Sequence, residues 1–230
     1  MKAMILAAGR GERLRPLTLE TPKPLIRVGD KPLIVWHLER LAGAGITDVV
    51  INTAWLGEQI EEALGEGQQY GVRIRYSREG TPLETLGGIR RALPMLEDDG
   101  DFLVINGDVW TDFDPARLLR NDQPETGILA TLVLVTNPDH HQDGDFIVTD
   151  AGQVLGEGDG TRYTFAGISR LSPELIHQAP SDEERLGPLL KRAAKNGRVK
   201  GIRHNGAWFD VGTYERLAAA GTHIRQFGTS

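Results

Sequence analysis

The 230-residue sequence contains no cysteine. That removes disulfides, thiolate catalysis and cysteine-held zinc or iron–sulfur centres, and it suits a reducing compartment. Aromatic residues are sparse at 6%, and basic residues are outnumbered, giving a formal net charge of −6. Such a balance lacks the cationic footprint of a nucleic-acid binder, so no nucleic-acid partner is expected. Long apolar runs are missing as well. The opening Met1–Gly9 segment is too short for a signal-peptide core. Nothing later approaches the roughly 20 apolar residues of a membrane helix, so the expected location is the cytoplasm, with no membrane partner.

What remains is ordinary globular material, 40% apolar and 25% charged, in a chain long enough for one substantial α/β domain. Apolar runs at 3–7, 48–52, 72–76 and 102–105 read as strands. Between them, 31–44, 56–64 and 86–96 carry apolar residues at helical spacing. Repeated β-α-β units predict a Rossmann-like, mostly parallel sheet flanked by helices. After a long β-rich run at 128–135 the pattern changes to short strands at 145–149, 153–155 and 163–169, then helices at 186–196 and 213–227, with short strands at 199–203 and 208–209. The expected organisation is one domain: a core over about 1–136, a small α+β subregion over 137–203, and a closing segment over 204–230.

The most informative stretch runs from Leu6 through Ala8, Gly9, Gly11, Arg13 and Arg15 to Thr18, followed by Thr21-Pro22-Lys23-Pro24-Leu25. A buried strand delivers the chain to a loop of small residues whose backbone N–H groups can cradle phosphate oxygens, with Arg13 and Lys23 adding positive charge. The spacing is not that of a Walker A loop, and the third glycine of a dinucleotide fingerprint is missing, which disfavours a dehydrogenase. Two carboxylates, Asp108 in Asn106-Gly107-Asp108 and Asp210 in Trp208-Phe209-Asp210-Val211-Gly212-Thr213, could supply hard oxygen ligands for Mg²⁺. Taken singly, the first fits a turn equally well and the second a helix cap. The six histidines, His37, His140, His141, His177, His204 and His223, show no zinc spacing, and His140-His141 reads as a polar loop.

In this order and spacing, these segments resemble the sugar-1-phosphate nucleotidyltransferase family, and the likeness spans essentially the whole chain. The resemblance implies a GT-A-like fold and transfer of a nucleotidyl group from a triphosphate to a sugar 1-phosphate, with release of pyrophosphate. It places triphosphate contacts on Leu6, Ala8, Gly9, Gly11, Arg13 and Lys23, the last two acting in transfer, and Mg²⁺ on Asp108 and Asp210. The sugar phosphate is already an anionic nucleophile, so no general base is required, and in-line attack on the α-phosphorus is expected.

The loop from Glu79 to Gly88 corresponds to the family's base-binding loop, with Leu83, Glu84, Gly87 and Gly88 expected along the nucleobase. It resembles the uridylyl and guanylyl branches, and Glu84 could accept a base N–H or support the following helix dipole. Together with Asn52–Gly57, Asn137–His141 and Phe165–Ser169, the pattern is similar to the branch that uridylylates N-acetylmuramic acid α-1-phosphate in peptidoglycan recycling. UTP and that sugar phosphate are therefore the expected substrates. Mannose-1-phosphate guanylyl transfer and glucose-1-phosphate uridylyl or thymidylyl transfer are the alternatives, with a non-catalytic nucleotide sensor as the rival from another class. Gly144, Asp145, Glu157 and Gly167 are expected at the sugar. A Glu-Lys-Pro element found in many relatives is replaced here by Leu155–Gly160, so Arg185 is the candidate for the missing sugar-phosphate contact; a surface-helix role fits it too.

Overall fold

The computed structural model describes residues 1–119 and 127–227. In chain order, the first half consists of β1 (Ala3–Leu6), α1 (Leu17–Glu20), β2 (Arg27–Val28), β3 (Lys31–Pro32), α2 (Leu33–Gly43), β4 (Asp48–Thr53), α3 (Gly57–Leu64), β5 (Arg73–Arg78), α4 (Thr85–Leu96), β6 (Phe102–Asn106) and β7 (Val109–Thr111). The second half adds β8 (Ala130–Val135), β9 (Phe146–Val148), β10 (Val154–Leu155), β11 (Arg162–Leu171), α5 (Pro173–His177), α6 (Leu186–Lys195), β12 (Val199–His204), β13 (Trp208–Asp210) and α7 (Tyr214–Phe227).

Nine strands form the main sheet. Strands β5, β4, β1 and β6 lie side by side in parallel. Next comes β11, antiparallel to both β6 and β8, and β12 closes that edge in parallel with β8. The start of β11 also pairs with β9, and β9 with β10, in a small antiparallel extension that matches the expected change of character. This mixed, helix-flanked sheet has the GT-A-like arrangement.

Alternation along the strands splits the core in two, because successive side chains point to opposite faces. Met4 and Val104 face a layer built on α4, α5 and α6, while Ile5 and Ile105 face α2 and α3. Leu33, Ile34, Leu38 and Leu41 give α2 its buried stripe. The helix stops at Gly45, whose φ of +77° lets its amide reach Ala42 while the Ile46 amide bonds the Leu41 carbonyl at 2.9 Å.

Chain order reverses at β1, which has β4 on one side and β6 on the other. The crevice outside the carboxyl ends of strands at such a reversal is where open α/β sheets bind ligands. Here those ends are Leu6 and Asn106, and the Gly107 amide bonds the Leu6 carbonyl at 2.9 Å. A Cβ at Gly107 would lie 2.5 Å from that oxygen, so only glycine permits the approach.

Candidate active site

Two clefts open at the reversal point. The larger, about 760 Å³, is lined by the loop after β1, the 82–85 segment, Asn52 and Asn106–Asp108. The smaller, about 300 Å³, lies among His140, His141, Thr164–Gly167, Trp208 and Asp210. Asn106 and Asp108 border both clefts, so a group held at Asp108 faces the two cavities at once.

Asp108 follows β6, while Asp210 ends β13, which pairs antiparallel with β7. The Val211 amide donates to the Asp108 carbonyl at 2.7 Å, and this backbone contact brings the two distant carboxylates together. Each carboxylate has a cation. Lys23 Nζ lies 2.8 Å from Asp108 Oδ2, and Arg216 Nη1 lies 2.8 Å from Asp210 Oδ2. His140 Nε2 approaches Asp210 Oδ2 at 3.3 Å. Asp210 Oδ1 is buried and takes no hydrogen bond from the described residues. The Arg13 and Arg216 guanidiniums both reach the space above Gly212, where a side chain would collide with them. Three cations thus gather beside two carboxylates, an arrangement suited to bringing phosphate groups together.

Behind the carboxylates, His37 on α2 is fully buried, and burial pushes its imidazole down to about 4 against a hydrogen bond to the Val109 backbone. Trp110, buried next along the chain from Val109, packs against Trp36 and Phe209 with ring centroids 6.0 Å apart in each pair.

Of the residues expected from sequence, Leu6, Ala8, Gly9, Gly11, Arg13, Lys23, Leu83 and Glu84 line the larger cleft. Gly87 and Gly88 lie in the first turns of α4 and outside that lining, packed against Leu83 and against Glu79 with Asn52. Asp210 and Gly167 line the smaller cleft. Asp145 lies behind it, where Oδ2 accepts the Phe165 amide at 2.8 Å and Oδ1 meets His141. Gly144 packs beside Asn137 and Arg162. Glu157 is exposed in the turn after β10, and Arg185 is exposed at the N-cap of α6; neither lines a cleft.

Arg216 and Glu184 have no role in the sequence reading, and Asn52 and Glu79 enter it only as the first residues of longer segments. The Glu184 carbonyl accepts the Leu86 and Gly87 amides, satisfying the first turn of α4. That contact belongs to the backbone and leaves no side-chain signal. Arg216 follows Asp210 by six residues, which places it in the first turn of α7 above the ribbon.

A family model described as nucleotidyl transferase matches residues 2–156. The chain belongs to this family. A Neisseria meningitidis protein named N-acetylmuramate alpha-1-phosphate uridylyltransferase is 51% identical over 225 residues, covering 96% of each chain. A mannose-1-phosphate guanyltransferase of Aspergillus oryzae is 33% identical over 92% of this chain, which spans 61% of that relative's length. Among solved structures, a Bacillus anthracis protein in complex with sucrose superposes with a TM-score of 0.86 at 22% identity, covering 99% of this chain and 96% of that one. Among the described residues of this nucleotidyltransferase, no helix is long and apolar enough to cross a membrane.

Proposed function

We propose that the chain transfers UMP from UTP to N-acetylmuramic acid α-1-phosphate, giving the UDP-sugar and pyrophosphate. The observation that carries this reading is the 51% identity, over 96% of both chains, to the Neisseria protein of that name. The geometry supports it. The larger cleft would take UTP, with the base beside Leu83 and Glu84 and the triphosphate over the 8–13 loop, and the smaller cleft would take the sugar. Residues 1–136 and 137–203 then divide nucleotide and sugar binding, and 204–230 brings in Asp210; residues 120–126 and 228–230 lie outside the described part of these segments.

In the reaction, a sugar-phosphate oxygen attacks the α-phosphorus in line, a new O–P bond forms, and the bond to the β-phosphate oxygen breaks as pyrophosphate departs. Arg13 and Lys23 offset the repulsion between the two anions and the charge that develops on the leaving group. Arg216 extends that positive wall toward the sugar phosphate. No side chain needs to remove a proton, because the nucleophile is already ionised.

Mg²⁺ is the proposed cofactor, and the residues present fit it. Asp108 and Asp210 offer carboxylate oxygens, one of them buried without a hydrogen bond, and phosphate oxygens would complete the set. Among the described residues no group of three acidic or histidine side chains is arranged to hold an ion by itself, so substrate phosphates would have to supply the remaining oxygens. When bound, the ion would neutralise phosphate charge and orient the α-phosphoryl group. The chain is proposed to act in the cytoplasm, returning cell-wall sugar to nucleotide form.

Pyrophosphate release measured over UTP, GTP, dTTP and CTP, crossed with the 1-phosphates of N-acetylmuramic acid, N-acetylglucosamine, glucose and mannose, tests the assignment. The highest kcat/KM is expected for UTP with the muramic acid phosphate. Preference by more than tenfold for GTP with mannose 1-phosphate would replace this reading by the guanylyl one.

A further inference from the structure

Three hydrogen bonds tie the base-binding loop to the phosphate-binding loop beneath the larger cleft. The Ala7 amide, where the phosphate loop begins, donates to Asn52 Oδ1 at 2.8 Å. Asn52 Nδ2 donates to Glu79 Oε1 at 2.7 Å. Glu79 Oε2 accepts the Leu83 amide at 2.8 Å, and Leu83 lines the cleft in the base loop. Both linking side chains are buried, Asn52 at 3% and Glu79 at 7% relative exposure. From the far side the brace is closed by Gly88, where a Cβ would stand 2.7 Å from Glu79 Oε1 and 2.9 Å from Asn52 Nδ2.

The bonds have a direction that fixes the residue types. Ala7 and Leu83 each present an N–H, so both ends of the link must be acceptors. Two acceptor ends can be joined only if one donor lies between them. An amide beside a carboxylate meets that condition: the amide oxygen takes one N–H, its NH₂ bridges inward, and the carboxylate takes two donors. Two carboxylates facing each other repel, and two amides leave one N–H facing another. Asn52 and Glu79 therefore form a polar pair that sets the distance between the place where a base is read and the place where its phosphates are held.

We propose that Asn52 and Glu79 are positioning residues for base selectivity, acting through the Ala7 and Leu83 amides. The proposal rests on the larger cleft being the nucleotide site. With the brace intact, a triphosphate whose phosphates sit on the 8–13 loop presents its base to Leu83 and Glu84 at one height only, so recognition of uracil is coupled to correct phosphate placement. Breaking the brace lets the two loops shift against each other, and bases that pair less well are then accepted.

The direction of the bonds supplies the test. Asn52→Asp puts a carboxylate against Glu79, and Glu79→Gln sets one amide against another; each costs one bond of the three. The double variant Asn52→Asp with Glu79→Gln reverses the middle bond and keeps the rest. The new Asp accepts the Ala7 amide and the Gln NH₂, and the Gln oxygen accepts the Leu83 amide. Net charge and bond count match the natural pair. We would measure kcat/KM for UTP, CTP and GTP at saturating sugar 1-phosphate, together with the KM for the sugar phosphate and thermal melting.

Each single variant is expected to lower the UTP-to-CTP preference about tenfold, the weight of one ordered hydrogen bond, with the sugar-phosphate KM unchanged. The double variant should return the preference to within about threefold of the natural chain. A purely structural role would lower melting temperature and scale all triphosphates alike, which overturns the proposal. Single variants with unaltered preference, or a double variant no better than the worse single, overturn it as well. If the singles fail to fold, a folded and selective double variant upholds the pairing, and an unfolded one sinks it. A natural chain that turns over no triphosphate, or none selectively, removes the underlying assignment of the cleft and this inference with it.

Discussion

The ammonium of Lys23 lies 2.8 Å from Asp108 Oδ2 across 85 residues of sequence, and the lysine is buried while its carboxylate partner is half-buried. A partner still open to solvent makes the pair a weak source of stability. Its value lies in holding a positive charge at the border of the two clefts. Lys23→Met should therefore melt close to the natural chain while kcat/KM falls about 10²–10³-fold, the usual cost of one oriented electrostatic group. Unchanged kinetics would leave Lys23 a counter-charge for Asp108 and nothing more.

Asp108→Asn and Asp210→Asn should each cut turnover at saturating Mg²⁺ by at least about 100-fold. Their stabilities should differ. Asp210 also accepts Arg216 Nη1 in a mostly buried contact, so its loss weakens the anchor of α7, and Asp210→Asn should melt at the lower temperature of the two. Calorimetry with turnover assays separates the two effects. Near-normal turnover in both would defeat the carboxylate assignment.

Two glycines of the site should behave in opposite ways. Gly107→Ala forces a methyl carbon to within 2.5 Å of the Leu6 carbonyl, between strands that cannot part, and should cost about 2 kcal/mol, or a Tm lower by about 4–8 °C. At Gly9 a Cβ meets no atom within 4 Å, so Gly9→Ala should leave Tm nearly unchanged. What it covers is the face offered to phosphate, so the KM for the triphosphate should rise. A Gly9→Ala chain with natural KM would remove Gly9 from the phosphate contacts.

His37 gives a stability signature in pH. Its imidazole is held down to about 4 by burial, against an ordinary 6.5, so the native chain refuses a proton that the unfolded chain accepts between those values. Stability is full above pH 6.5 and drains away as pH falls toward 4, by an amount on the order of 3 kcal/mol. Denaturation midpoints across pH 4–7.5 should show this slope, and His37→Asn should flatten it. A natural chain with no slope in that window would contradict the buried, neutral imidazole.

Much of the parallel half was legible in sequence because strand and helix periodicities alternate cleanly there, as at Ala3–Leu6, Leu33–Gly43 and Asp48–Thr53. The glycine loop and the pair Asp108 and Asp210 stand out in sequence because each depends on residue types at a fixed spacing, and folding brings the pair together through the Val211 amide. Strand direction could not. The apolar pattern of Arg162–Leu171 does not say that the strand runs antiparallel between Phe102–Asn106 and Ala130–Val135. Nor does a three-residue ribbon such as Val109–Thr111 carry enough period to announce its partner. Glu79 enters the sequence reading only as the first residue of the base-binding loop; nothing there announces its burial, which follows from two N–H groups converging on its carboxylate oxygens. Arg185 shows the converse: a lone arginine before a helix fits an anion contact on paper, and folding seats it at the N-cap of α6, outside the lining of both clefts though next to Glu184, which lines the larger one.

The pairing of Val109–Thr111 with Trp208–Asp210 has a consequence for the chain as it is being made. Synthesis delivers the loop after β1 first and Asp108 long before Asp210, so a growing chain can assemble the floor of the larger cleft early. Asp210 emerges 102 residues after Asp108 and joins only when the ribbon zips. If both carboxylates serve transfer as proposed, a polypeptide released between Asp108 and Asp210 holds one of the two and should be silent toward UTP. Competence would then arrive with the ribbon, and products truncated before Asp210 are expected to be inert.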